Sequence, residues 1–220
     1  MSIAKILCVL MFFVSVPVSA RDGYKLMVFG DSLSAGYRLP KEDSFAEQLQ
    51  TALTELGYAQ VIVINNSKSG ETTAGGLNRQ KQALEQKPDG VILELGINDV
   101  LRGVGVETIR ENLSKLITNF QKAGVSVLLA GMQAPPITEP VYANRFSNIY
   151  RMLAQKYHIV LYPFFMQGIF KAAGNQYEMA GPYLLPDRAH PRAEGVLLMV
   201  EDMLPTIEKF LNKEGVYPVR

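Results

Sequence analysis

The 220-residue sequence predicts an α/β fold: a three-layer α/β/α sandwich with a five-stranded parallel sheet. Three observations predict it. Five short runs are predominantly apolar, without the strict alternation of a half-exposed strand, which suits strands covered on both faces. Each is followed by a segment with apolar residues three and four apart, the spacing of an amphipathic helix. The regular alternation of the two then implies right-handed crossovers feeding one parallel sheet.

Residues 1–20 stand apart from this pattern. Lys5 precedes an apolar run from Ile6 to Val16, and Val18-Ser19-Ala20 supplies the small residues that signal peptidase accepts. A cleaved signal peptide is therefore expected over residues 1–20, with a single domain over 21–220. The run is too short for the ~20 apolar residues that span a bilayer, so the expected outcome is export to a periplasm or to the medium.

Along the mature chain the first strand is expected at Tyr24 to Phe29, followed by a helix over Ser44 to Leu56. A second strand at Val61 to Ile64 leads to a helix over Thr73 to Glu85, and a third at Val91 to Leu95 to a helix over Glu107 to Ala123. The fourth strand, Val125 to Ala130, precedes a helix over Val141 to Tyr157; the fifth, Ile159 to Tyr162, is last, and a helix over Ala193 to Leu211 closes the domain. In open parallel sheets ligands bind at the carboxyl ends of the strands. The loops at those ends hold the unusual residues: "FGDSLS" after the first strand, "NNSKSGETTAGG" after the second, "LGINDVLRG" after the third and "AGMQAPP" after the fourth. The Pro-containing loop from Gln133 to Pro140 and the segment from Phe165 to Asp187 are candidate pocket walls or lids.

Composition narrows the function. The only cysteine, Cys8, lies within the apolar leader, so the mature chain is expected to have no disulfide and no thiolate ligand. Removing Lys5 with the leader leaves 21 of the 22 basic residues against 21 acidic ones. That balance gives no electrostatic reason to bind nucleic acid or an anionic membrane.

The first of those loops sets the chemical question, because the apolar run ends at Gly30-Asp31-Ser32. A serine hydroxyl becomes a nucleophile only beside a base, usually histidine. There are two histidines. His158 lies at the amino end of the fifth strand, the wrong edge for catalysis, and reads as an ordinary surface residue. His190, in "DRAHP", has Asp187 three residues earlier, a spacing that lets a turn set the carboxylate against the imidazole. The same pair also reads as a capped turn before Pro191, and the two readings are evenly matched on these residues alone. An oxyanion needs preorganised donors, and Gly70 and Asn98 are donors on the catalytic edge, although glycine and asparagine are also common in loops for their own reasons. All of them on one edge would be several coincidences.

These residues resemble a known family. "FGDSLSAGY", Gly70 in "NSKSGETTAGG", "LGINDVLRG" and "DRAHP" are similar, in order, to the four sequence blocks of the SGNH hydrolases, or GDSL esterases/lipases, whose fold is flavodoxin-like; the likeness covers nearly all of residues 24–205. "SGETTAGGL", "NDVLRG" and "YPFFM" resemble the bacterial periplasmic branch described as arylesterase, thioesterase I and lysophospholipase. The resemblance implies a serine hydrolase with Ser32 as nucleophile, His190 as general base and Asp187 as its orienting acid. It further implies an oxyanion hole of the Ser32 and Gly70 N–H groups and the Asn98 side chain, with Asp31 and Asp99 as structural supports. No metal or organic cofactor is expected.

Two positions depart from the family pattern. Ile97 replaces the second glycine of Gly-Gly-Asn-Asp, and Arg188 stands where Asp-Gly-x-His has glycine. The arginine would be strained if that position needs a positive φ; otherwise its charge would reach the acid or the pocket rim. The α/β-hydrolase elbow G-x-S-x-G fits less well, since Ser34 stands where its second glycine belongs.

The expected activity is hydrolysis of aryl or short-to-medium acyl esters, with thioesters and lysophospholipids as further candidates, through an acyl-serine. The expected substrate walls are Met132, Pro135, Ile137 and Tyr142, with Leu101 and Met179 as additions. A carbohydrate O-acetyl esterase or acyltransferase would use the same Ser-His-Asp site; a non-enzymic binding module would have no need of it. The expected partner is a small ester or lipid-like substrate, with no nucleic acid, no membrane anchor after cleavage, and a monomeric chain.

Overall fold

The computed structural model describes residues 23–219, so the expected leader over residues 1–20 lies outside the described residues. Five parallel strands, β1 (Tyr24–Phe29), β2 (Val61–Asn65), β3 (Gly90–Leu93), β4 (Ser126–Ala130) and β5 (Val160–Tyr162), pair in the order β2-β1-β3-β4-β5. The three central strands are apolar on both faces because both are covered. Leu26 to Phe29, Val91 to Leu93 and Leu128 to Ala130 are all fully buried. At the edge, β2 alternates into partial exposure.

The covering layers follow from the crossovers. On one face lie α3 (Thr73–Leu84), α5 (Val106–Lys122) and α6 (Pro140–Tyr157); on the other lie α2 (Phe45–Glu55) and α8 (Ala193–Lys213), with the short α7 (Gln167–Ala172) against α8. Each long helix buries a stripe, as Ile109, Leu113, Leu116, Ile117 and Phe120 show on α5. Local chemistry sets their starts: Ser44 and Thr72 accept hydrogen bonds from Glu47 N and Gly75 N, while Glu139 accepts from the first N–H groups of α6 and Pro140 opens it. α8 extends past the expected Leu211 to Lys213 and accommodates Pro205 within it.

The sheet order positions the site. From β1 the chain crosses to β2 on one side, whereas β3 leads to β4 on the other, so the loops after β1 and β3 diverge over neighbouring strands. That is the switch-point crevice at which parallel sheets bind ligands. Two short helices begin there, α1 (Ser32–Ala35) after β1 and α4 (Ile97–Leu101) after β3. Both are too short for a periodicity to register in the sequence.

Candidate active site

Ser32 opens α1, directly after Asp31, whose Oδ1 accepts the Leu33 N–H at 3.0 Å. This cap closes the turn and leaves the Ser32 hydroxyl at the carboxyl edge, with the residue only 8% exposed. Across the cleft, Leu184 and Pro191 form an isolated antiparallel bridge that closes the loop between them. Asp187 Oδ1 accepts the backbone N–H groups of Ala189 and His190, both at 3.0 Å, so the turn itself holds the carboxylate. Its Oδ2 lies 2.9 Å from His190 Nδ1, and His190 Nε2 lies 2.9 Å from Ser32 Oγ. The geometry suits the tautomer in which Nδ1–H donates to Asp187 and Nε2 accepts from the serine hydroxyl. Burial raises the Asp187 pKa, but the His190 and Ala189 N–H groups and the imidazole outweigh it and bring the carboxyl down to about 2. Asp187 is therefore an anion at neutral pH.

Asn98 lines the same cleft as Ser32, and its Nδ2 donates to Asp31 Oδ2 at 3.1 Å. An amide has a second N–H. Gly96 leaves room for Tyr150: at φ +131° a Cβ there would sit 2.3 Å from the Tyr150 hydroxyl, which donates to the Leu95 carbonyl. Gly70, at φ +77°, lies in the loop before α3, and its carbonyl accepts from Arg102 Nη2 at 2.8 Å. Asp99 fastens the start of α3 to α4 by accepting from both the N–H and the hydroxyl of Thr73, at 2.8 and 2.6 Å. Arg79 does the same for the first loop: it pairs with Glu71 at 2.6 Å, packs over the Phe29 ring and donates to the Gly30 carbonyl. Nothing in the sequence pattern singles out Arg79, since its partners lie in two other segments, the end of β1 and the loop after β2.

A cleft of about 280 Å³ opens beside Ser32 and His190. Met132 and Pro135 line it, and so does the exposed Leu101. The expectation for Ile137 and Tyr142 is corrected. Ile137 lies in the turn that Thr138 N closes onto the Pro135 carbonyl, and its side chain is 96% exposed. Tyr142 instead donates its hydroxyl to the Val104 carbonyl, tying α6 to the loop after α4. Met179 also lies off the lining. The segment after β5 supplies further walls, Phe164, Met166, Phe170 and Tyr177; the last three fall inside the expected wall segment Phe165 to Asp187, although no residue of it was singled out for this role. Phe164 and Met166 lie in the "YPFFM" motif, which was read for its likeness and not for its position.

Both departures have places. Ile97 forms part of the cleft wall next to Asn98. Arg188 adopts φ +56°, so the position does need the left-handed conformation and a non-glycine residue is strained there. Its guanidinium donates to the Glu178 carbonyl at 3.2 Å and lies 5.7 Å from the centroid of the Tyr177 ring, and the residue lines the cleft. His158 caps α6 at the opposite edge of the sheet, where its carbonyl accepts from Lys213. Among the described residues no group of three His, Cys, Asp or Glu side chains forms a metal-ligand set, and no helix is long and apolar enough to cross a membrane.

Comparison with known proteins agrees with this architecture. An arylesterase from Vibrio mimicus is 36% identical over 92% of this chain and 97% of its own. Esterase TesA from Pseudomonas aeruginosa is 35% identical over 84% of this chain and 89% of its own. The crystal structure of psychrotrophic esterase EstA from Pseudoalteromonas sp., inhibited by monoethylphosphonate, superposes with a TM-score of 0.76 at 30% identity, covering 86% of this chain and 98% of that one. Residues 28–197 match the GDSL-like Lipase/Acylhydrolase family, and the chain belongs to it.

Proposed function

We propose that the protein hydrolyses carboxylic esters, with aryl and short-to-medium acyl esters as its substrates, through an acyl-enzyme on Ser32. The observation that carries this reading is the continuous hydrogen-bonded chain Asp187–His190–Ser32, 2.9 Å at each step, beside an apolar cleft. His190 Nε2 takes the proton as Ser32 Oγ bonds to the ester carbon, and Asp187 stabilises the imidazolium. The tetrahedral oxyanion is held by the Ser32 and Gly70 N–H groups and the remaining N–H of Asn98. Collapse breaks the ester C–O bond, and the alcohol leaves with the proton from His190. Water then gives its proton to His190 and attacks the acyl carbon, releasing the acid and restoring Ser32. Every group named comes from one chain, which supports a monomer as the working unit. The Phe164, Met166 and Phe170 walls favour an apolar acyl or aryl group over a sugar.

The test is the initial rate of the mature protein and of Ser32→Ala and His190→Ala on p-nitrophenyl esters from acetate to palmitate, with phenyl acetate and an acyl-CoA alongside. Loss of turnover to a small residual in both variants is expected. Full turnover in Ser32→Ala overturns the assignment. The reading also places the enzyme outside the cytoplasm, with residues 1–20 removed; a mature amino terminus at Arg21 in exported protein is the expected result.

A further inference from the structure

Next to Ser32 lie two carboxyl groups that the reaction does not consume, Asp31 and Glu94, both fully buried. Glu94 follows β3, where its N–H donates to the Phe29 carbonyl at 3.0 Å, and its side chain lies against Gly30. A Cβ on Gly30 would stand 2.4 Å from Glu94 Oε2 and 2.2 Å from Ser34 Oγ, so only glycine leaves room. Glu94 Oε2 accepts the Asp31 N–H at 3.1 Å and the Ser34 hydroxyl at 2.7 Å. No donor reaches Oε1, which is sealed from solvent.

A charged carboxylate oxygen without a donor in such a place is expensive. A carboxyl that carries a proton is itself a donor, and the Asp31 side chain, whose own N–H is held by Glu94 Oε2, is the neighbouring acceptor. Asp31 in turn accepts from Leu33 N–H, on the helix that Ser32 opens, and from Asn98 Nδ2, on the helix after β3. We propose that Glu94 is a positioning residue: it keeps its proton and donates it to Asp31, so that a single buried carboxylate fixes both the Ser32 turn and the Asn98 amide.

Two adjacent carboxylates do not both ionise in a dry site. Burial raises both groups, Asp31 to about 7 and Glu94 well above the carboxylate range. The surroundings reinforce the effect from α4 and α6, since Asp99 adds like charge to Asp31, and the buried Tyr150 hydroxyl offers none of opposite sign. Arg79 of α3, which reaches the Gly30 carbonyl, is spent on Glu71 and backbone carbonyls. The proposal rests on the reading of Asn98 as an oxyanion donor, but its first test does not depend on turnover.

That test is infrared difference spectroscopy above neutral pH. A carbonyl stretch of a protonated carboxylic acid is expected in the wild type and absent in Glu94→Gln. No such band, or one that persists in Glu94→Gln and vanishes in Asp31→Asn, overturns the proposal. Kinetics supply the second arm. Glutamine reproduces the donor and acceptor pattern of a protonated glutamate, so Glu94→Gln should keep kcat within about threefold. Glu94→Leu should lower kcat by roughly 10–100-fold with KM little changed, the signature of a displaced transition-state donor. Equal losses in the two variants, or a folded Glu94→Leu with full kcat, overturn it. If Glu94→Leu does not fold, Glu94→Gln and the spectrum decide.

Discussion

The Tyr37 ring packs against the His190 imidazole, with centroids 4.3 Å apart and planes at 38°, while the Arg38 guanidinium lies 5.1 Å from the Tyr37 centroid. Asp187 fixes the imidazole through one edge, and Tyr37 limits its rotation from the side. Ring pairs of this kind contribute about 0.5–1.5 kcal/mol. Tyr37→Ala should therefore lower kcat by roughly 2–10-fold, while Tyr37→Phe keeps it. Steady-state rates on one ester check both.

Asn98 offers the only side-chain donor of the proposed oxyanion hole. Asn98→Ala should lower kcat by roughly 10²–10³-fold with little change in KM, since the donor acts on charge that develops in the transition state. A proportionate rise in KM would instead mark Asn98 as a ground-state binding group.

Arg188 separates backbone strain from side-chain chemistry. Arg188→Ala and Arg188→Gly both remove the guanidinium and its bond to the Glu178 carbonyl, but only glycine relaxes at φ +56°. The glycine variant should be the more stable of the two by about 1 kcal/mol. Paired thermal or urea unfolding measures the difference.

Chain-length preference should follow the residues that wall the cleft. Phe170→Ala enlarges it and should move the optimum towards longer acyl chains. Ile137→Ala, at a side chain 96% exposed, should leave the profile unchanged. The p-nitrophenyl ester series reads both.

Two carboxyls near Ser32 act on stability in opposite directions. Asp187 falls from 3.8 to about 2 on folding, so its contribution is present above pH 3.8 and is lost as pH falls towards 2. Asp31 rises from 3.8 to about 7, so the stability of its neutral form is complete below 3.8 and is lost as pH rises through 7. Tm measured across this range should lose its acid-side decline in part in Asp187→Asn. In Asp31→Asn the decline between pH 3.8 and 7 should weaken.

Much of this was legible in the chain because it rests on local pattern. The run Tyr24 to Phe29 is the first strand, residue for residue, since a segment apolar at all but Lys25 and ending in Gly-Asp-Ser suits a sheet covered on both faces. The long helices fell within a residue or two of their expected bounds, because three-and-four spacing and caps such as Ser44 and Thr72 are local signals. The Asp187–His190 spacing likewise contained its own turn. The strand after Val91 ended two residues early, at Leu93, because Glu94 leaves the sheet to lie against Gly30.

By itself, then, the sequence determined the layers, the strand order's catalytic edge and the residue types placed along it. Only the tertiary structure decided which of those residues meet. It brought His190 to Ser32 across 158 positions, Glu94 to Asp31 across 63 and Tyr37 to the imidazole, and it turned Ile137 and Tyr142 away from the cleft that Phe164 and Phe170 fill. The reason is physical: periodicity and capping act between residues a few positions apart, whereas a cleft wall and a buried proton are set by the packing of segments whose separation along the chain carries no local signal.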